Sequence, residues 1–147
     1  MQSPRVDFYL LESSNGRAKD MLACRLATKA FASDMKVYIR VSETSDAQRM
    51  DELLWTFKQN SFLPHAIAHA DNNADQYPIQ IGTDTEPPAG CDDFLIQMSG
   101  HNNSAASQFN RIAELVGPGD AEKQAGRERF RYYRQHGIEP DTHQVTL

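Results

Sequence analysis

The sequence predicts an α/β protein of three layers, in which helices cover both faces of a mainly parallel central sheet. Short apolar segments alternate with amphipathic ones along the chain, which is the order typical of such a sheet. The chain has 147 residues, of which 39% are hydrophobic, enough for one core without disulfides or metals. It contains no internal repeat and no long linker, so we expect residues 1–147 to form a single domain.

The first half of the chain gives the clearest alternation. Residues 6–11 (VDFYLL) indicate a buried strand, and residues 16–32 carry apolar side chains at helical spacing. A second strand is predicted over residues 36–41. Ser45, with Gln48 three residues later, matches a capping box and predicts the start of a second helix. The apolar stripe of that helix consists of Met50, Leu53, Leu54 and Phe57.

The second half of the chain is less regular. Three further short strands are predicted, at residues 62–68, 78–82 and 94–98. A helix is predicted to begin near Ser104 and to run toward Ala113, although residues 112–116 fit a strand equally well. The last helix is expected to begin near Asp120, which can act as its cap, and to stop at Gly137.

One face of this last helix has an unusual composition. At 3.6 residues per turn it carries Arg127, Phe130, Arg131 and Arg134. A row of arginines with one aromatic ring is either a solvated face or a site for a ligand that is acidic and partly apolar. The net charge of the chain is -5, so the local concentration of basic residues favours a site.

The opposite face of the last helix is expected to pack on the sheet. It carries Ala121, Ala125 and Tyr132, with Tyr133 to one side. Arg129 falls on this inner side, so we interpret it as a structural residue held in an ion pair.

Two aromatic residues elsewhere in the chain are candidate contact residues. Trp55 lies about 140° round its helix from Met50 and is predicted to face outward. Either another layer covers it, or it forms a wall of a partner-binding pocket, a role common for tryptophan. Phe62 begins an alternating segment and fits either a core anchor or a contact residue.

Composition argues against several functional classes. A sequence pI near 5.5 is unfavourable for general nucleic-acid binding, so any contact with DNA is expected to be indirect. No run of about 20 apolar residues indicates a membrane helix. The two cysteines, Cys24 and Cys91, and the lack of an apolar N-terminal stretch predict a cytoplasmic protein with free thiols.

The sequence also lacks a convincing catalytic motif. Residues 12–17 (ESSNGR) hold one glycine and match neither a P-loop nor a GxGxxG turn. His65 and His69 could share a helical face as metal ligands, but Pro64 favours an extended segment there. Asp92 and Asp93 fit a solvated strand entrance better than a catalytic carboxylate pair. We therefore expect no catalytic residue, no cofactor and no metal.

Four segments together resemble a known family. These are residues 7–11 (DFYLL), 51–55 (DELLW), 61–65 (SFLPH) and 127–134 (RERFRYYR). In this order they resemble the chi subunit of bacterial DNA polymerase III holoenzyme, and the resemblance extends over essentially the whole chain. It implies a Rossmann-like fold without a phosphate-binding loop. It also implies a non-catalytic accessory subunit of the clamp loader, so that polymerase activity belongs only to the holoenzyme.

The resemblance further implies two partners. Members of the family bind the psi subunit of the clamp loader and the acidic C-terminal tail of single-stranded DNA-binding protein. The tail-binding positions correspond here to Trp55, Arg127, Phe130 and Arg131, and the psi-facing positions to Phe62 with Val116 adjoining. The best-known members have tyrosine and lysine where this chain has Phe130 and Arg131. Arginine keeps the charge of lysine and adds a planar fork for a carboxylate.

Two other functions fit parts of the sequence. A small nucleotide-dependent enzyme would fit the fold class but not residues 12–17. A direct binder of single-stranded DNA would use Trp55 and the arginines for stacking and phosphate contacts, against the acidic net charge.

Overall fold

The computed structural model describes residues 4–12, 17–57, 63–68, 77–84, 88, 91–99 and 108–146. Three helices and seven strands lie within these ranges. In chain order they are β1 (Arg5–Leu11), α1 (Ala18–Ala32), β2 (Val37–Arg40), α2 (Thr44–Thr56), β3 (His65–Ile67), β4 (Ile79–Gly82), β5 (Phe94–Gln97), β6 (Arg111–Val116), α3 (Asp120–Gln135) and β7 (Asp141–Val145).

The strands form one sheet in the order β3-β4-β2-β5-β6-β1-β7. All six neighbouring pairs are parallel. The predicted α/β class with a mainly parallel sheet is therefore confirmed. In the chain segments that the structure describes, no helix is long and apolar enough to cross a membrane.

Helices cover both faces of this sheet, and each face has its own core. One core contains the buried residues of α1 and α2 together with Val37, Ile39 and Ile96. The other contains Tyr133 of α3 together with Tyr38 and Leu95. Because successive side chains of a strand point to opposite faces, α1 and α2 lie on one face of the sheet and α3 lies on the other.

The ambiguous segment before α3 is a strand. Residues 111–116 pair with β1 on one side and with β5 on the other, and all but Arg111 are buried. The prediction of a helix reaching Ala113 is therefore wrong, and the alternative of a strand over residues 112–116 is confirmed. The predicted start of that helix, near Ser104, lies outside the described residues.

The N-caps of α2 and α3 differ from the predicted ones by one or two residues, although α3 begins at Asp120 as expected. The capping box of α2 joins Glu43 and Asp46, and the Glu43 backbone N–H donates to Asp46 Oδ2 at 3.1 Å. The predicted box of Ser45 and Gln48 is therefore wrong, because α2 has already begun at Thr44. Gly119, and not Asp120, is the N-cap of α3, while the chain leaves α3 through Gly137 at φ 80° as expected.

Candidate protein-interaction surfaces

A buried ion pair fixes the rotation of α3 about its axis. Arg129 is 4% exposed and Glu114 of β6 is 0% exposed. Arg129 Nε donates to one carboxylate oxygen of Glu114 at 2.8 Å, and the Tyr133 hydroxyl donates to the other at 2.6 Å. The interpretation of Arg129 as an ion-paired structural residue is confirmed.

The inner face of α3 is rotated from the predicted one. Gly126, Arg129 and Tyr133 are its buried residues, whereas Ala121 is exposed and Tyr132 is half-buried. The expectation that this face packs on the sheet is therefore wrong for Ala121, whereas Tyr132 and Tyr133 do pack in the core on this side. The buried carboxylate of Glu114 attracts Arg129 inward, and this interaction decides which side of α3 meets the sheet.

Burial raises the pKa of Glu114, and the charge of Arg129 and the hydroxyl of Tyr133 oppose that rise. Every described polar contact of this carboxylate is internal to the fold. The Glu114 carboxylate therefore has a structural role, in which it holds α3 against β6.

A groove of about 550 Å³ lies between α3 and the edge strand β7. Phe8, Leu10 and Val116 form its floor, and Gly126 and Phe130 form the lower part of the α3 wall. The Phe130 ring lies 5.3 Å from the Phe8 ring, centroid to centroid. The groove therefore offers an apolar, partly aromatic floor of the kind that accepts an aromatic side chain.

Positively charged side chains of α3 border the groove. Lys123 and Arg127 border the groove, and Arg131 follows one turn later. Residues four apart on a helix lie on the same side, about 6 Å apart along the axis, so these three exposed side chains form a row. No salt bridge involves any of the three within the described part of the chain.

Two charged residues near this cationic row pair with residues outside it. Glu122 pairs instead with Lys19 at 2.6 Å. Arg134 lies 3.6 Å from Glu139 at the far end of α3. The row of Lys123, Arg127 and Arg131 beside an apolar groove is thus suited to an acidic group attached to an apolar one.

Sequence reasoning identified Arg127, Phe130 and Arg131 but missed Lys123. The missed signal was its position four residues before Arg127, which places both on the same side of a helix. Phe8 and Leu10 were also missed as groove residues, because a strand pattern does not show which apolar side chains the next layer leaves uncovered.

Trp55 forms a separate exposed feature on α2. Its side chain is 49% exposed, as predicted, and its ring centroid lies 4.4 Å from that of His65. His65 is buried, and its ring nitrogens face the backbone carbonyls of Leu63 and Asp51. A histidine with these contacts supports Trp55 from below and fixes β3 against α2.

The structure does not bring Trp55 together with the arginine row. Trp55 lies on α2, which packs beside β3 and β4 on one face of the sheet, whereas α3 packs beside β6 on the other face. Three strand spacings separate β4 from β6, about 14 Å. The tail-binding positions that the resemblance implies, Trp55 on one side and Arg127, Phe130 and Arg131 on the other, therefore do not line one pocket in this structure.

Val116, which the resemblance places beside the psi-facing surface, lies in the groove. Val116 is 3% exposed and lies in the groove floor beneath Gly126, on the same side as Arg127. Phe62 lies outside the described residues. In the sequence it directly precedes buried Leu63, whose backbone carbonyl forms a hydrogen bond with the His65 ring.

The remaining candidates in the described part of the chain have structural contacts or are buried. Among the residues that the structure describes, no group of His, Cys, Asp and Glu could hold a metal, and His69 lies outside them. Asp93 accepts the Lys36 backbone N–H at 2.8 Å, as expected for a strand entrance. Burial raises the thiol pKa of Cys24 to about 12 and of Cys91 to about 11, which makes both poor nucleophiles.

Comparison of the fold with solved structures finds a similar arrangement in a much longer protein. The crystal structure of T4 UvsW matches with a TM-score of 0.69 over 97% of this chain and 41% of that one, at 7% sequence identity. A likeness at that identity shows the fold alone.

Comparison of the sequence is more specific. A family model described as DNA polymerase III chi subunit, HolC, matches residues 3–141. DNA polymerase III subunit chi of Pseudomonas aeruginosa is 36% identical over 141 residues, covering 96% of both chains. The subunits of the same name from Escherichia coli and Haemophilus influenzae are 29% and 30% identical, over 92% and 95% of this chain and 94% and 96% of theirs. Because the family model matches nearly the whole chain and a relative of that name is 36% identical over 96% of both chains, the chain belongs to the DNA polymerase III chi subunit family.

Proposed function

We propose that this chi-family protein is a non-catalytic adaptor of the replication machinery. In this role it links the clamp loader, through the psi subunit, to the acidic C-terminal tail of single-stranded DNA-binding protein. The observation that carries the proposal is the apolar groove bordered by Lys123 and Arg127, with Arg131 beyond.

The chemistry of the groove fits a tail that ends in an aromatic residue with a free carboxylate and is preceded by aspartates. The aromatic side chain would lie on Phe8, Val116 and Phe130. The guanidinium of Arg127 would bind the terminal carboxylate through charge-assisted hydrogen bonds. Arg131, further along α3, would attract the preceding aspartates.

The psi subunit would occupy the other face, where exposed Trp55 lies above His65 and Phe62 precedes Leu63. A large aromatic ring supported by buried residues is typical of an interface anchor. In this arrangement Trp55 serves the psi surface and Val116 serves the tail groove. DNA would be reached only through the single-stranded DNA-binding protein.

Calorimetric titration with a ten-residue tail peptide tests the groove assignment. We expect micromolar affinity, on the order of -8 kcal/mol, that weakens with added salt. Arg127→Ala should weaken binding by roughly tenfold or more, since hydrogen bonds to charged groups contribute about 1.5–3 kcal/mol.

Arg25→Ala is the matched control, because Arg25 is an exposed arginine of α1 on the opposite face. It should bind like the wild type. Equal affinity of the Arg127→Ala variant and the wild type would contradict the assignment of the groove.

A further inference from the structure

An acidic residue faces the groove from the side opposite the cations. Glu12 directly follows β1 and borders the groove together with Thr142 and Gln144 of β7. Its backbone N–H donates to the Val145 carbonyl at 3.1 Å, and its carboxylate accepts the Thr146 hydroxyl at 3.2 Å. The backbone and the side chain of Glu12 are thus both held toward β7.

The groove is therefore electrically asymmetric across its width. Lys123 and Arg127 lie on the α3 side, and the Glu12 carboxylate lies on the β7 side. A solvent-exposed carboxylate repels other carboxylates within about a Debye length, roughly 8–10 Å. An acidic ligand thus meets attraction along one wall of the groove and repulsion along the other.

We propose that Glu12 is a specificity-determining residue of the groove that sets the path of an acidic peptide. The proposal rests on the tail-binding function proposed above. Repulsion by Glu12 prevents the aspartates from crossing β7, and attraction by Arg131 draws them along α3. Glu12 thereby selects peptides whose acidic segment can follow the helix, and it weakens the binding of all acidic peptides.

Two synthetic peptides test this role. One has aspartates before a C-terminal aromatic residue with a free carboxylate, and the other has those aspartates replaced by asparagine. Glu12→Gln should tighten binding of the acidic peptide by about two- to fivefold, as expected for loss of one exposed like charge. It should change binding of the asparagine peptide less. Glu52→Gln removes an exposed acid of α2 on the other face and should change neither.

The path itself is tested with a nitroxide at the peptide N-terminus. In the wild type, the label should broaden backbone amide signals in residues 131–135 of α3 more strongly than those in residues 142–145 of β7. Glu12→Lys should increase the broadening in β7. Broadening of β7 as strong as that of α3 in the wild type, or a Glu12→Gln variant that binds the acidic peptide no more tightly, would overturn the role of Glu12.

These outcomes separate the role of Glu12 from the function of the groove. Failure of the wild type to bind either peptide, or binding that does not depend on Arg127, would refute the groove as the tail site. Binding that depends on Arg127 but not on Glu12 would refute only the role of Glu12.

Discussion

At the scale of single residues, one carboxylate determines how α3 is seated. Glu114 is fully buried and holds both Arg129 and Tyr133 through hydrogen bonds below 3 Å. Because these two residues lie on the inner side of α3, Arg127 and Arg131 are left on the outer side. The buried pair therefore makes the exposed row of cations available to a partner.

The losses in free energy of unfolding caused by removing Glu114 and Arg129 should not be additive, because each group compensates the buried charge of the other. Arg129→Ala leaves a buried carboxylate without its cation and should lower the free energy of unfolding by about 3–5 kcal/mol. The double variant Glu114→Leu, Arg129→Leu should lose far less than the sum of the two single leucine variants. Urea unfolding followed by circular dichroism measures this, and additive losses would show that the pair is not coupled.

At the scale of elements, α3 approaches the sheet closely at a glycine. A Cβ placed on Gly126 would lie 3.1 Å and 3.2 Å from the two methyl carbons of Val116. Val116 is itself buried in the groove floor, so it has little room to move. The glycine brings Arg127 and Phe130 down to the groove at a cost in helix propensity of about 1 kcal/mol relative to alanine.

A double-mutant cycle tests this close approach. Gly126→Ala should not stabilise the wild type, because the crowding against Val116 offsets the gain in helix propensity. In a Val116→Ala background the crowding is absent, and the same substitution should raise the free energy of unfolding by about 1 kcal/mol. Thermal or urea unfolding of the four proteins gives the coupling, and an equal gain in both backgrounds would show that α3 does not press on Val116.

Sequence patterns predicted the helices and strands that have a clear periodicity of their own. They missed the features that depend on neighbouring elements. The apolar strands and the three helices follow from periodicity. Strand β7 (DTHQV) was missed because an edge strand pairs on one side only, and this one carries mostly polar, exposed side chains. The Glu43 cap was missed because serine is a much commoner cap than glutamate.

At the candidate site, too, the sequence predicted relations within one helix but not relations between elements. Helical spacing placed Arg127, Phe130 and Arg131 together and Arg129 inside, since a helix relates residues three and four apart. It could not relate Trp55 to α3, because the choice of sheet face for each helix depends on the crossover connections. The tail-binding positions implied by the resemblance therefore include residues of two layers.

At the scale of the whole molecule, the two proposed surfaces lie on opposite faces of the sheet. Trp55 projects from the layer of α1 and α2, and Arg127 projects from the layer of α3. The all-parallel sheet between them is a rigid spacer with buried side chains on both faces. Under the proposed function, the two partners would bind opposite faces of the sheet, so neither would obstruct the other.

Simultaneous binding is the corresponding prediction. The tail peptide should bind the free protein and its complex with psi with the same affinity, within about twofold, because psi would contact neither the groove nor α3. Trp55→Ala and Phe62→Ala should weaken psi binding and leave tail binding unchanged, while Arg127→Ala should do the reverse. Each variant thus serves as the folding control for the other surface. Calorimetric titration with each partner measures both affinities, and loss of tail binding on addition of psi would show that the two partners share one surface.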